Sequence, residues 1–420
     1  MILAPLTRGC NLPYRRLCAD FGCKVAFGEM IYARNLLKGD AVEHARLRRA
    51  PNEGGLFGVQ IATNDVEEAV ASLKLIKAAG QIDFVDLNCG CPINEATRRG
   101  LGSAMLRNPN RLAELVLGIV EADVGIPLTV KVRLGADNKN NVMRVSKEMR
   151  DAGAAALTIH GRTAQQRYSN AANWDEIAKV VAESRDSDML IVGNGDILTH
   201  EDARAKIEST GVDSVMVGRG ALEKPWIFQE FETGVRWNPS ARDRVAVYRR
   251  LAQYNKDHFR DDARGRKMAS YFFPWHFEFL CRYHSSKNDI QSRWIDDGDM
   301  PPLDTLLACK NTFAHRRIAD ILWDSVGDEE AVAKLTEFAE GGEFSSLLSA
   351  VIGDGGGGGG GGEELSNIPG NDKKVRKRRS MKPKRTEEEI EQIRAERKLK
   401  RERLGMTDHE HVNGGRRGGN

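Results

Sequence analysis

The sequence of 420 residues contains no long apolar run and no recognisable secretory signal. No apolar stretch approaches the ~18 residues expected of a membrane-spanning helix, so no membrane partner is predicted. Met1-Ile2-Leu3 runs directly into Ala4-Pro5, without the basic and apolar regions that precede a signal cleavage site. These absences predict a soluble protein located in the cytoplasm.

Cysteine is scarce and irregularly spaced. The seven cysteines are odd in number and follow no disulfide framework, which predicts reduced thiols and an intracellular protein. Zinc binding by Cys10, Cys18 and Cys23 is the rival interpretation. Because seven and four residues separate these cysteines and no fourth ligand is in register, we predict no metal site.

The net charge of +3 conceals an uneven distribution. Residues 373–404 contain fifteen Lys and Arg against six Asp and Glu, and eight consecutive glycines at residues 355–362 precede them. A glycine tract cannot pack a core, so residues 349–420 are predicted to be a Gly-rich linker and a disordered basic tail. Three roles for the tail are compatible: solubility, contact with RNA phosphates, and nuclear import, which makes the nucleus a second location. We rank RNA contact first.

Eight short apolar runs alternate with segments of helical periodicity in the first part of the chain. The predicted strands are residues 2–4, 25–27, 57–61, 82–87, 128–134, 155–159, 189–192 and 214–217. The predicted helices include residues 66–79, 109–122, 141–152, 174–184 and 200–209, several opened by a capping residue such as Asn64, Asn108 or Thr199. A doubly wound sheet would give the same alternation, but eight units in about 220 residues fit a barrel better.

The predicted fold is therefore α/β: a (β/α)8 TIM barrel in residues 1–235, followed by a smaller all-helical domain in residues 240–348. Within the helical domain the predicted helices are residues 242–258, 264–283 and 303–322, with a further helical stretch at residues 329–348. The aromatic-rich segment 271–277, followed by Arg282-Tyr283-His284, could stack RNA bases. Aromatic residues at this density more often form a core, and we favour that interpretation.

Polar or turn-forming residues stand at the C-terminal end of every predicted strand, where barrel enzymes carry their chemistry. These residues are Thr7, Glu29, Gln60, Asn88 with Cys91, Lys131 with Arg133, His160 with Arg162, Asn194 with Asp196, and Gly218 with Arg219. Gly195 and Gly218 predict a phosphate cradle, because bare backbone N–H groups can surround an anionic oxygen. A flavin enzyme with Cys91 as acid or nucleophile and a class I aldolase with Lys131 as Schiff-base amine both fit, and the residues alone leave them close.

A set of motifs in residues 2–231 resembles the tRNA-dihydrouridine synthase family, with every motif in order. They are Ala4-Pro5-Leu6-Thr7, Asn11-Leu12-Pro13-Tyr14-Arg15, Val59-Gln60-Ile61, Asn88-Cys89-Gly90-Cys91-Pro92, Lys131-Val132-Arg133, Ile159-His160-Gly161-Arg162-Thr163, Gly193-Asn194-Gly195-Asp196, Gly218-Arg219-Gly220-Ala221-Leu222 and Pro225-Trp226. The Pro-Leu-Thr opening and the segments 165–169 and 279–283 resemble the eukaryotic third subfamily, which modifies the uridine at position 47 of the tRNA variable loop.

The resemblance implies a barrel that holds FMN and reduces uridine in tRNA to 5,6-dihydrouridine. Pro5, Leu6, Thr7, Gln60, Lys131 and His160 would line the flavin ring, and Asn194, Gly195, Asp196, Gly218 and Arg219 would bind its phosphate end. Cys91 matches the proton donor, while Asn88 and Arg162 would face the uracil. The implied chemistry is a hydride from flavin N5 to uracil C6 and a proton from Cys91 to C5, with NADPH or NADH as reductant.

Further expectations accompany this resemblance. The partner would be tRNA, with other RNAs as a second option, and a monomer is expected. Members of the third subfamily usually carry Cys-Cys-Cys-His zinc fingers ahead of the barrel, whereas nothing precedes the first predicted strand, and Cys89 adds a second thiol beside Cys91. Two alternatives stay open: an FMN or Schiff-base barrel enzyme acting on a small metabolite, and a catalytically idle RNA-binding member.

Overall fold

A closed barrel of parallel strands is the centre of the computed structural model, which describes residues 1–283 and 300–353. The strands are β1 (Ile2–Leu3), β2 (Val25–Phe27), β3 (Ile31–Tyr32), β4 (Leu56–Ala62), β5 (Phe84–Cys89), β6 (Leu128–Arg133), β7 (Ala156–His160), β8 (Leu190–Asn194) and β9 (Ser214–Val217). Their order is β2-β1-β9-β8-β7-β6-β5-β4, and pairing of β2 with β4 closes the ring. The short strand β3 pairs with the far end of β4 and is the one strand within the described residues that the sequence did not predict. The predicted eight-stranded barrel is confirmed.

Helices surround the barrel between successive strands. They are α1 (Leu12–Asp20), α2 (Ala33–Leu37), α3 (Ala41–Ala45), α4 (Val66–Ala78), α5 (Asn94–Thr97), the 3-10 helix η1 (Gly102–Arg107), α6 (Pro109–Glu121), α7 (Val142–Asp151), α8 (Trp174–Glu183), α9 (His200–Thr210), α10 (Arg219–Glu223) and α11 (Ile227–Thr233). Asn108 and Thr199 cap α6 and α9 as predicted. The prediction for α4 was wrong by one residue: the carboxylate of Asp65 caps the helix, while Asn64 donates to backbone carbonyls of a neighbouring loop.

The barrel interior changes from apolar to polar along the strands. A plug of Ala4, Phe27, Val192 and Met216, with Phe84 packed against it, fills the interior. Successive side chains of a strand point to opposite faces, so the residues of β5 that follow Phe84 at intervals of two also point inward. These residues are Asp86 and Asn88. The C-terminal ends of the strands therefore carry a layer of polar side chains above the apolar plug. We call this end of the barrel the barrel mouth.

The described residues after the barrel form helices joined by short loops. Its helices are α12 (Ala241–Phe259), α13 (Ala263–Ala269), α14 (Phe273–Leu280), α15 (Pro302–Ala308), α16 (Thr312–Asp324), α17 (Asp328–Glu340) and α18 (Gly342–Gly353). The single helices predicted at 264–283 and 303–322 were wrong, because each is two helices. Pro274 occupies the first turn of α14, where a missing N–H does no harm but where an incoming helix cannot continue. Asn311 starts α16 by accepting from two backbone N–H groups.

Aromatic residues join the helical region to the barrel. The ring of His276 stacks on that of Tyr14 at 4.4 Å between centroids. Phe273 and Phe277 are buried, which confirms the core interpretation for them, whereas the side chain of Tyr271 is exposed. No helix within residues 1–283 and 300–353 is long and apolar enough to cross a membrane.

Several sequence predictions fall beyond these ranges or stay untested. His284, the glycine tract and the basic tail from residue 354 onward lie outside the described residues. The division into a barrel domain of residues 1–235 and a helical domain of residues 240–348 stays a prediction.

Candidate active site at the barrel mouth

The predicted site residues lie at the barrel mouth, in the strand ends or in the loops that follow them. They are Pro5, Leu6 and Thr7 after β1, Gln60 in β4, Asn88 and Cys91 in and after β5, Lys131 in β6, His160 and Arg162 in and after β7, Asn194, Gly195 and Asp196 in and after β8, and Gly218 and Arg219 after β9. The C-terminal ends of parallel barrel strands face the same side, so one mouth collects these residues from seven separate stretches of sequence.

The loop after β5 holds Cys91 in a fixed position. The backbone N–H groups of Gly90 and Cys91 donate to Oδ1 of Asn88 at 3.3 and 3.0 Å, and the N–H of Ser103 donates to the Cys91 carbonyl oxygen at 2.9 Å. Gly102 has φ +61°, and a Cβ there would overlap the carbonyl oxygen of Cys91 and lie 3.2 Å from its Cβ. Glycine at position 102 is therefore needed for the close approach of η1 to this loop.

The two neighbouring thiols have different surroundings. Cys89 is the last residue of β5, points away from the barrel interior and is fully buried, whereas Cys91 is only half-buried at the mouth. Burial raises the pKa of the Cys91 thiol above its ordinary value, with Arg133 and Lys131 opposing the shift. At neutral pH Cys91 therefore keeps its proton, as a proton donor must.

A chain of side-chain hydrogen bonds leads from the Cys91 loop into the barrel. Nδ2 of Asn88 donates to Oε1 of Gln60 at 2.7 Å, and Nε2 of Gln60 donates to Oδ2 of Asp86 at 2.8 Å. Oγ1 of Thr129 donates to the other carboxylate oxygen of Asp86 at 2.6 Å. Burial raises the pKa of Asp86 to about 6. Asp86 was not among the predicted site residues, although a carboxylate in the middle of an apolar strand was the available signal.

Lys131 brings a cation to the mouth. Its Nζ donates to Oδ1 of Asn194 at 3.2 Å, and Nδ2 of Asn194 donates to the carbonyl oxygen of Met216 at 2.8 Å. The Asn194 amide is thereby oriented so that its oxygen faces the ammonium group. Burial, with the charge of Arg133, lowers the pKa of Lys131 to about 8. Asn194 is thus the partner of this lysine, and its contact with a phosphate stays a prediction.

Arg133 connects two loops of the mouth. Its Nε donates to the carbonyl oxygen of Gly90 at 3.0 Å, and its Nη1 donates to that of Thr163 at 2.8 Å. Burial lowers the pKa of this guanidinium. The sequence placed Arg133 at a strand end without giving it a role, because these partners lie in loops whose positions the sequence does not show.

His160 is neutral and has a defined tautomer. Nη1 of Arg162 lies 3.2 Å from Nε2 of His160. A guanidinium only donates hydrogen bonds, so Nε2 is the acceptor and the imidazole proton is on Nδ1. Burial, together with Lys131 and nearby arginines, holds the pKa of His160 well below its ordinary value. His160 therefore offers the mouth a neutral donor.

Arg162 and Arg219 share one carboxylate. Nη2 of Arg162 lies 2.6 and 2.7 Å from the two oxygens of Asp196, and Nη2 of Arg219 lies 2.8 Å from Oδ1. Nε of Arg162 also donates to the carbonyl oxygen of Asn170 at 2.7 Å, and only 1% of the Arg162 side chain is exposed. These contacts make Arg162 an anchor for the loop after β7. A direct contact of Arg162 with uracil stays a prediction.

The glycines after β8 and β9 keep the backbone bare where it approaches the mouth. Gly195 has φ +128°, and a Cβ there would lie 2.7 Å from Cβ of Ala172 and 3.2 Å from Cδ2 of His160. A Cβ on Gly220 would lie 2.5 Å from the carbonyl oxygen of Ile197. No larger residue fits at either position without displacement of its neighbours.

The turn after β1 forms another side of the mouth. Leu6 packs against the apolar plug, and its Cδ2 lies 3.6 Å from the Cβ position of Gly218. Thr7 is exposed and Pro5 is half-buried. The N–H of Arg8 donates to Oε1 of Glu29 at 2.7 Å, which fixes the turn on the loop after β2.

Tyr168 is an exposed aromatic residue at the mouth that the sequence analysis did not select. Its side chain is 55% exposed, and the guanidinium of Arg219 lies 4.3 Å from the ring centroid. The surrounding segment 165–169 contributed to the family resemblance alone. Nothing in the local pattern indicated that Tyr168 would stand above Arg219.

Comparisons with known proteins match the part of the chain that contains the residues of the mouth. The family model described as "Dihydrouridine synthase (Dus)" matches residues 2–281. The "tRNA-dihydrouridine(47) synthase [NAD(P)(+)]-like" protein of Homo sapiens is 38% identical over 285 residues, which cover 67% of this chain and 43% of that protein. The "tRNA-dihydrouridine(47) synthase [NAD(P)(+)]" of Lodderomyces elongisporus is 36% identical over 355 residues, covering 78% of this chain and 55% of that protein.

The chain thus spans about half the length of these curated relatives. Among solved structures, histamine dehydrogenase from Rhizobium sp. 4-9 aligns with a TM-score of 0.44 and 15% identity over 60% of this chain and 48% of that one. A likeness at this level carries no argument about chemistry. The family match covers the whole barrel and the start of the helical region, and it confirms the resemblance. This chain belongs to the dihydrouridine synthase family.

Proposed function

We propose that this chain reduces a uridine of tRNA to 5,6-dihydrouridine, and that the uridine is the one at position 47. The observation that carries the proposal is the meeting at one mouth of a protonated thiol, a buried cation and a set of oriented amides. Membership of the family supports uridine as the reacting group. The printed names of the relatives support position 47.

FMN is the proposed cofactor, and the residues of the mouth fit it. A Cβ at Gly195 would overlap Ala172 and crowd His160, so only glycine fits there, and we propose that its bare backbone faces the phosphate end. Arg219 adds a partly exposed guanidinium to the same side, where it lies 2.8 Å from the Asp196 carboxylate. Asn194, Asp196 and Gly218 are proposed to bind the phosphate end with them. Gln60, Lys131 and His160, with Pro5, Leu6 and Thr7, would hold the ring.

The chemistry needs one hydride and one proton to convert the C5=C6 double bond of uracil into a single bond. When bound, reduced FMN supplies the hydride from N5 to C6, and NADPH or NADH is the proposed reductant. Cys91 would give its thiol proton to C5, because burial keeps that thiol protonated at neutral pH. Asn88 and Arg162 are proposed to face the uracil, with Asn88 also holding the Cys91 loop.

Recognition of tRNA is proposed for the helical region and the basic tail. A uracil inside folded tRNA must be extruded before it can reach a barrel mouth, so a surface beside the mouth has to hold the RNA. In the helical region, His276 of α14 stacks on Tyr14 of α1, and the ring of Tyr271 lies 4.0 Å from the guanidinium of Arg8 in the turn after β1. We also propose a monomer in the cytoplasm, with the nucleus as a second location because of the basic tail.

A Schiff-base enzyme acting on a small carbonyl metabolite is the second candidate. The observation that favours it is Lys131, whose pKa burial lowers to about 8, since a partly deprotonated amine can attack a carbonyl. Borohydride reduction in the presence of candidate aldehydes and ketones would trap such an adduct on Lys131. Mass spectrometry of the peptide then separates the two candidates, because the tRNA reductase forms no such bond.

Flavin binding and tRNA reduction test the proposal together. Freshly purified protein should show flavin absorbance bands, and denaturation should release FMN. Gly195→Leu should empty the site, whereas Gly211→Leu is the matched control, because Gly211 also has a left-handed φ (+71°) but lies at the exposed end of α9. Properly folded protein without flavin bands would refute the proposal. Mass spectrometry of tRNA from cells lacking the protein should show loss of dihydrouridine at position 47.

A further inference from the structure

Asp86 is a carboxylate without a role in the proposed proton and hydride transfers. It is fully buried inside the barrel, one layer above the apolar plug, and it pairs in register with Gln60 on one side and Thr129 on the other. Three adjacent strands thus bring these side chains together at one level. A buried carboxylate is costly unless hydrogen bonds compensate it, so its retention beneath a reactive mouth needs a reason.

The direction of each hydrogen bond follows from Asp86. An ionised carboxylate only accepts, so Gln60 must turn Nε2 toward Asp86 and Oε1 away from it. Oε1 then accepts from Nδ2 of Asn88, which leaves Oδ1 of Asn88 to accept from the N–H groups of Gly90 and Cys91. The carboxylate of Asp86 therefore orients the amides of Gln60 and Asn88. The chain of hydrogen bonds that starts at Asp86 ends at the loop that carries Cys91.

We propose that Asp86 is a positioning residue that decides which edges of Gln60 and Asn88 face a ring in the mouth and that keeps the Cys91 loop in place. This inference rests on the proposed function for the identity of the ring, flavin or uracil. Both rings carry alternating C=O and N–H groups along an imide edge. If the side-chain amide of Gln60 or Asn88 were reversed, its NH2 group would face an N–H of the ring, or its oxygen would face a C=O of the ring.

The change that tests the inference is Asp86→Asn, which keeps the size of the side chain. An asparagine offers Gln60 either an oxygen or a nitrogen, so the direction of the chain is no longer fixed. The matched control is Thr129→Val, which removes the other hydrogen bond to the same carboxylate and leaves the amides of Gln60 and Asn88 untouched. Asp86→Asn should weaken FMN binding by about tenfold to a hundredfold, the loss expected for a mispaired buried polar group.

Hydrogen–deuterium exchange of the full-length protein gives a readout that needs no flavin and no RNA. Exchange of the Gly90 and Cys91 N–H groups, read from peptides spanning residues 88–92, should accelerate in Asp86→Asn and stay unchanged in Thr129→Val. Thermal unfolding reports any general loss of structure. A structural role alone predicts parallel losses of stability in both variants without a separate effect on these two N–H groups.

The outcomes separate the two proposals. If the parent protein binds no FMN, the proposed function fails, while the exchange measurement still judges Asp86. If FMN affinity and exchange at residues 88–92 are the same in Asp86→Asn, Thr129→Val and the parent, Asp86 does not position the amides and the inference is overturned. If Asp86→Asn alone weakens FMN binding and accelerates exchange in a protein that unfolds at no lower temperature than the parent, the inference holds.

Discussion

Gly102→Ala should displace Cys91 without emptying the flavin site. Gly102 has φ +61°, and for an L residue this left-handed conformation costs about 1–2 kcal/mol. In addition, the new Cβ overlaps the Cys91 carbonyl oxygen and comes within 3.2 Å of the Cys91 Cβ. The new Cβ and the Cys91 carbonyl oxygen are both bonded to the backbone, so neither can rotate away as a flexible side chain could. The loop that carries the thiol must therefore shift.

The expected loss of tRNA reduction is about a hundredfold, because a misplacement of a reacting group by roughly 1 Å has an effect of that size. Gly100→Ala is the matched control. Gly100 has φ +71° and therefore the same backbone strain, but its Cβ would meet only the side-chain Nδ2 of Asn64, at 3.1 Å. Both variants should lose the stability that the left-handed φ costs, with a further loss in Gly102→Ala from the overlap, and only Gly102→Ala should lose activity.

The assay compares the rate at which unmodified tRNA reoxidises each prereduced variant, with flavin content and thermal unfolding measured on the same samples. Equal rates for Gly102→Ala and Gly100→Ala would refute the reasoning, since the contact with Cys91 would then have no consequence. Loss of flavin from Gly102→Ala would also refute it, because the atoms nearest the new Cβ all belong to Cys91 in the loop after β5.

Three further predictions concern charge. Burial raises the pKa of Asp86 to about 6, so the folded chain keeps a proton that the unfolded chain releases, and stability should fall as pH rises from about 4 to 6. Asp86→Asn should flatten this part of a denaturant-unfolding profile. Asp196→Asn should release the loop after β7 by weakening its hold on Arg162 and Arg219, seen as faster hydrogen exchange at residues 163–172. Deleting residues 363–420 should reduce the salt dependence of tRNA binding and leave flavin content unchanged; an unchanged salt slope would exclude phosphate contacts by the tail.

The sequence predicted the barrel and the residues of its mouth because both depend on local patterns. Apolar runs bounded by turn-forming residues indicate the strands, and polar residues indicate the C-terminal ends of the strands at the mouth. The second helices α14 and α16 were missed because the helical periodicity continues across the breaks, and only Pro274 and Asn311 interrupt it. The predicted helices were too long because a single helix-breaking residue is a weak signal within a strong helical pattern.

The interior network was not predictable because it depends on register across strands. Gln60, Asp86 and Thr129 are far apart in sequence and meet only when β4, β5 and β6 align. Arg162 shows the same limit: the motif marks it as a site residue, but only the fold reveals its pairing with Asp196. Sequence identifies which residues reach the mouth, and three-dimensional structure shows which of them bind one another.

Single-turnover oxidation of the prereduced enzyme by unmodified tRNA tests the central claim most directly. Cys91→Ala should still bind FMN, accept hydride from NADPH and bind tRNA, but its oxidation by tRNA should slow by about a hundredfold to ten-thousandfold, the range for a positioned general acid. Cys89→Ala should react at nearly the parent rate, because Cys89 points away from the mouth and is fully buried. A Cys91→Ala variant that tRNA oxidises as fast as the parent would contradict the assignment of the proton donor.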